Sequence, residues 1–201
     1  MLVPQIEKHP FPPFYPDHAK WLFLGSFPAK PQRWSMDFFY PNFQNDMWRI
    51  FGLVFFKDKN YFVNENDKSF NKESIIKFLT IKHIAMYDMA EEVIRHKDNA
   101  SDNDLEIVKP LDIIGIITTL LPDLQNIVTT GGKSIETLIQ QLRIANIDVT
   151  VPKIGTSTSF SIQNRDIRIY RMPSSSRAYP LRLEQKAIIY NDMFSLLFQS
   201  C

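Results

Sequence analysis

The chain of 201 residues has one cysteine, Cys201. A single thiol excludes an intrachain disulfide, a thiolate zinc site and an iron–sulfur cluster built within the chain. The four histidines, His9, His18, His83 and His96, are scattered without metal-ligand spacing or a clear partner, so neither a metal nor any other cofactor is expected. Long hydrophobic runs are missing as well. The longest, around Ile113–Leu121, carries a Gly and two Thr and is far too short to span a bilayer, so no membrane partner is expected. The first residues include Glu7, Lys8 and several prolines but no apolar core of a secretion signal, which makes the cytoplasm the expected location. Excess charge of one sign is also lacking. The net charge of +1 argues against tight non-specific binding to polyanions, while Lys30, Arg33, Arg171, Arg177, Arg182 and Lys186 could still form a local basic rim.

What is present is ordinary globular composition, 44% hydrophobic and 22% charged, in a length suited to one compact domain over 1–201. Neither an internal repeat nor a low-complexity linker interrupts it. Eight of the thirteen prolines fall in the first 41 residues, so 1–18 reads as an extended, non-helical arm. Short apolar runs at Trp21–Leu24, Ile84–Tyr87, Asn126–Thr129 and Ile167–Tyr170 read as buried strands, with a further short strand at Val149–Val151. Helices are expected over Asn45–Phe56, Glu73–Leu79, Leu111–Leu121, Gly131–Leu142 and Leu181–Leu197. Asp58–Asn71 and the charged stretch 95–108 read as loops. Strands alternating with helices predict a three-layer α/β/α sandwich around a mainly parallel sheet of four or five strands.

Two motifs look like sites and fail on their chemistry. Gly131-Gly132-Lys133-Ser134 follows a strand and opens a helix, but a phosphate-binding loop needs a Gly where Ile127 stands. Ser174-Ser175-Ser176 lacks the Gly-x-Ser-x-Gly elbow of a serine hydrolase.

Three other segments belong together. Gly25-Ser26-Phe27-Pro28-Ala29 and Pro173-Ser174-Ser175-Ser176-Arg177 each follow a predicted strand, and loops at the carboxyl ends of parallel strands meet in one crevice. Between them, Tyr40-Pro41-Asn42-Phe43-Gln44-Asn45-Asp46-Met47-Trp48 supplies aromatic faces and a neutral amide. Taken singly, Tyr40 and Trp48 fit a core, Asn45 fits a helix cap, and Asp88, at a strand end, fits a cap on the next helix.

In order and spacing the segments resemble the uracil-DNA glycosylase superfamily, and most closely its hypoxanthine-DNA glycosylase branch. Phe11-Pro12-Pro13 with Leu22-Phe23-Leu24-Gly25-Ser26-Phe27-Pro28 is similar to the opening of that branch. Asn45-Asp46-Met47-Trp48 resembles its Asn-x-Phe-Trp segment, Pro173-Ser174-Ser175-Ser176 its Pro-Ser-Thr-Ser loop, and Tyr87-Asp88-Met89 its Trp-Asp-Val strand end. The likeness runs from about residue 10 to 195. The chain departs from the pattern at Met172, where several branches place a His, at Asn42 and Phe43, where the branch often has His and Pro, and at Arg177, which replaces a Pro.

The resemblance implies a monofunctional DNA glycosylase of base excision repair, a monomer that hydrolyses the N-glycosidic bond of a deaminated base, uracil or hypoxanthine, in DNA. Such an enzyme must take the base out of the stack and hold it in a pocket. Tyr40 would stack on it, with Gly25, Ser26, Phe27 and Pro28 forming the rest of the base pocket. Many relatives carry a catalytic Asp or Asn at the position of Phe27; here the resemblance assigns the catalytic amide to Asn45, which would hold the water. Pro173, Ser174, Ser175, Ser176 and Arg177 would meet the DNA, and Asp46 and Asp88 are secondary candidates. A non-catalytic nucleic-acid-binding relative and a small-molecule nucleoside hydrolase are the alternatives.

Overall fold

The computed structural model describes residues 5–97 and 104–198. Its central sheet has five strands: β2 (Trp21–Gly25), β5 (Ile84–Asp88), β8 (Asn126–Thr130), β9 (Thr156–Ile162) and β10 (Arg165–Met172), in the order β5-β2-β8-β10-β9. The first four in that order run parallel, and β9 closes one edge antiparallel to β10. β5 and β8 are buried along their whole length, and β2 along all but Trp21, as strands covered on both faces must be.

From β2 the chain travels through α1 (Met47–Phe56) and α2 (Lys72–Ile81) to β5 on one side. It then crosses to β8 on the other side by way of a short helical turn, α3 (Ile113–Gly115), continued by a π-turn over Ile116–Leu120. Right-handed crossovers in opposite directions place their helices on opposite faces. Accordingly α3 packs with α4 (Gly132–Ile144), whereas α1 packs with α5 (Leu183–Phe198). The α1–α5 layer is aromatic: Phe51 and Phe55 of α1 meet Phe194 of α5 and Phe78 of α2, and Phe23 of β2 meets both Phe51 and Phe194. The result is the expected α/β/α arrangement, with a reversal of strand order beside β2 that opens a crevice at the carboxyl ends of the strands.

Four expectations need correction. Val149–Val151 forms no strand; the edge is taken by β9, whose Ser- and Thr-rich face is exposed and whose buried anchor is Phe160. A hairpin with Gln163 and Asn164 both at positive φ joins it to β10. The stretch 95–108 is not simply a loop, because β6 (Ala90–Arg95) pairs with β7 (Leu105–Pro110) over a small core of Ala90, Val93 and Leu105; residues 98–103 of that stretch lie outside the described residues. Of the arm expected over 1–18, residues 1–4 lie outside the described residues, and the rest is extended but stitched down: β1 (Ile6–Lys8) adds a third strand to this sheet beside β6, and Phe14 bridges to Met86. Within Asp58–Asn71, finally, β3 (Val63–Asn64) and β4 (Ser69–Phe70) make a small hairpin. No helix among the described residues is long and apolar enough to cross a membrane.

Candidate active site

The strands β2, β5, β8 and β10 end at Gly25, Asp88, Thr130 and Met172. Beyond those ends lies a cavity of about 770 Å³, lined by Gly25–Ala29, Tyr40–Asn42, Gln44, Asn45, Asp88, Thr130–Lys133 and Ser174–Pro180, with Arg33 and Glu136 at its wall. A volume of this size falls within the range of small-molecule and cofactor sites.

The second segment and the serine loop are joined by backbone. Asn45 and Ser176 form an antiparallel bridge, and Asp46 N donates to Ser175 O at 2.9 Å. Asn45 Oδ1 accepts from Met47 N at 2.9 Å, so the side chain caps the start of α1. Its Nδ2 makes no hydrogen bond among the described residues. The loop before it is held from beneath by Arg49, which is buried, donates to Phe43 O at 2.8 Å, and lies over the Phe43 ring at 4.3 Å. Burial, reinforced by the charge of Arg177, lowers the pKa of Arg49.

Below the cavity sits a buried ionic knot. Asp46 receives Arg177 Nε on Oδ1 at 3.0 Å and Lys186 Nζ on Oδ2 at 2.9 Å, and Lys186 also donates to Ser176 O at 2.8 Å. Lys186 is fully buried, which removes it from the expected basic rim. Arg177 Nη1 donates to Gln44 Oε1 at 3.0 Å, so this residue clips the serine loop to the second segment while keeping an exposed flank. Asp46 has both oxygens engaged and lies outside the cavity wall. Pro173 is likewise behind the wall, its carbonyl accepting from the buried Tyr190 hydroxyl at 3.0 Å. Ser174 and Ser176 each accept from the backbone N–H two residues on, which shapes the loop and leaves both O–H groups able to donate.

Tyr40 adopts a left-handed backbone, φ +50°, a conformation that costs a tyrosine energy and is retained where the surroundings enforce it. Its hydroxyl bonds Thr130 Oγ1 at 2.8 Å, and its ring meets the edge of Trp48. Residue 25 must be glycine: a Cβ there would collide with Asp88 Oδ1 and come within 3.6 Å of the Tyr40 hydroxyl. Gly131, at φ +117°, supplies the turn into α4, the role left to it once phosphate-loop chemistry is set aside.

Over 94% of this chain and 98% of the other, the fold superimposes with a TM-score of 0.59 and 20% identity on the solution NMR structure of a Methanosarcina acetivorans protein described as a "putative Uracil DNA glycosylase". The fold is uracil-DNA-glycosylase-like. No family model and no curated protein matches the chain.

Two expectations are overturned at Asp88 and His9. The element after Asp88 is β6, so Asp88 has no helix to cap. His9 does have a partner: Nε2 lies 2.9 Å from Asp88 Oδ2. The two residues are 79 positions apart, and no local spacing could have revealed the pair. Among the described residues no group of three or more His, Cys, Asp or Glu could hold a metal ion.

Proposed function

We propose that this protein is a monofunctional DNA glycosylase that hydrolyses the N-glycosidic bond of a deaminated base, uracil or hypoxanthine. The observation that carries this reading is the backbone bridge from Asn45 to Ser176, which sets an amide and a serine loop on the wall that also holds the Gly25 loop. The fold likeness supports it. In the proposed complex the flipped base enters the cavity against Tyr40, phosphates flanking it meet the Ser174 and Ser176 hydroxyls, and the Asn45 amide holds the attacking water. Departure of the base creates an oxocarbenium-like sugar, so a neutral amide suffices to hold water in line with C1′. Backbone amides of the small-residue loops replace the imidazole that Met172 cannot supply.

Release of free base from uracil-, hypoxanthine- and xanthine-containing oligonucleotides, run beside free nucleosides, tests the proposal. Base release from DNA with affinity falling steeply in salt is the expected result. Cleavage of free nucleosides alone would establish a nucleoside hydrolase instead, and duplex binding without release would establish a non-catalytic binder.

Two side chains give graded results in the same assay. Tyr40→Ala is expected to weaken productive binding by roughly 1–3 kcal/mol, the usual worth of base–aromatic stacking. Tyr40→Phe keeps the ring and loses the hydroxyl with its tie to Thr130, so it should stay within a few-fold of wild type. Equal loss in both would assign the role to the hydroxyl. Arg177, Asp46 and Lys186 together carry one net positive charge, with Arg177 on the cavity wall. Arg177→Ala is expected to lower the slope of log affinity against log salt by about one unit. An unchanged slope would leave Arg177 as a clip between Gln44 and Asp46.

A further inference from the structure

His9 and Asp88 form an ionisable pair that the roles above do not use. Their side chains are only 2% and 8% exposed. His9 comes from the N-terminal arm, one residue past β1, and its ring is enclosed by Phe11, Phe27, Phe39 and Tyr87 at centroid distances of 4.6–6.0 Å. Its Nδ1 lies 2.8 Å from Phe11 O and 3.2 Å from Phe11 N, and accepting from that N–H leaves Nε2–H to donate to Asp88 Oδ2 at 2.9 Å. Burial, with the charges of Glu91 and Asp88 adding to it, pushes the Tyr87 phenol up to about 12, so the wall behind the imidazole stays neutral.

The orientation of the carboxylate is the decisive point. One oxygen of Asp88 is spent on His9, and the other lies against the Cα of Gly25, where the missing side chain leaves it facing the same space as the Tyr40 hydroxyl. Among the described residues lining the cavity the carboxylates are Asp88 and the exposed Glu136, so Asp88 is the buried one. The first loop brings no acid of its own: Phe27 packs its ring on His9 and beneath Arg95. A buried carboxylate costs stability unless it is partnered, and among the described residues the hydrogen bond to this one falls on Oδ2.

We infer that Asp88 is a catalytic carboxylate of this site and that His9 is its positioning residue. The inference rests on the glycosylase reading. As the C1′–N bond breaks, its electron pair leaves with the base, and the water oxygen forms the new bond to C1′. The proton released by the water passes to Asp88, and the departing base anion takes a proton from solvent. Asn45 Nδ2–H donates to the same water, so amide and carboxylate hold it from its two ends. His9, by bonding Oδ2, turns the other oxygen toward the cavity, which is the task of an orienting group behind a base.

The test is single-turnover base release by the full chain, with duplex affinity and melting temperature measured alongside. Asp88→Asn keeps the shape of the side chain and can still accept from His9, so melting and duplex affinity should hold while release slows about 100-fold, the lower range for a lost general base. His9→Phe should slow release about tenfold at unchanged KM, and His9→Gln, which can still donate to Asp88, should recover most of that rate. Wild-type protein that releases no base would overturn the glycosylase reading and the inference with it. An active wild type with an Asp88→Asn variant of equal rate would overturn the inference and leave the glycosylase reading standing. Equal slowing in both His9 variants would overturn the positioning role.

Discussion

Asn45→Ala is expected to reduce base release by about two to three orders of magnitude, the loss seen when one preorganised polar group is removed from a reaction centre. The substitution deletes two things at once, because Asn45 Oδ1 caps Met47 N–H while Nδ2 has no partner among the described residues. Loss of the cap alone costs about 1 kcal/mol of stability. Asn45→Asp separates the two effects: its carboxylate still accepts from Met47 N, but it cannot donate to the water. Comparable turnover loss in both variants, with melting lowered only in Asn45→Ala, assigns the catalytic effect to the amide N–H. Full activity in Asn45→Asp would make Asn45 a cap and nothing more. Duplex affinity should change little in either variant, since this side chain is placed on the cavity wall rather than on a phosphate.

The same residue shows what could be read from the chain alone. Four core strands stand out because burial on both faces leaves nearly continuous apolar runs, as in Leu22–Leu24 and Ile127–Val128. Strand β9 does not stand out, because an edge strand exposes Thr and Ser and needs only Phe160 to anchor it. The β1–β6–β7 sheet is hidden for a different reason: its partners are distant in sequence, and its outer faces carry Glu91, Glu92, Glu106 and Lys109. Loop segments at strand ends could be placed by topology, since β2 and β10 must end on the same edge of a parallel sheet. The His9–Asp88 pair could not, because it depends on the arm folding back over β5. Lys186 was legible in principle. Tyr190 and Met193 follow it at helical spacing and are buried, so position 186 faces inward, and only its charge suggested the rim.

That inward-facing lysine underlies the largest expected effect on stability. Asp46→Ala should destabilise the protein by about 3–5 kcal/mol, the usual cost of removing one partner from a buried ion pair. Arg177 would survive the loss in solvent, being half exposed, but Lys186 would be left fully buried, with Ser176 O as its remaining hydrogen-bond acceptor among the described residues. In a domain of this length such a loss lowers the melting temperature by roughly 10 °C. The damage should also reach the site, because the knot ties the serine loop to the segment that carries Asn45. Adding Lys186→Met to Asp46→Ala removes the stranded charge and fills the space with apolar atoms, so melting should recover most of the loss. Base release would then recover only as far as Arg177 and the Asn45–Ser176 bridge still hold the two loops together. A double variant that melts no higher than Asp46→Ala would show that the lysine charge is not the source of the instability, and that the carboxylate acts through the loop instead.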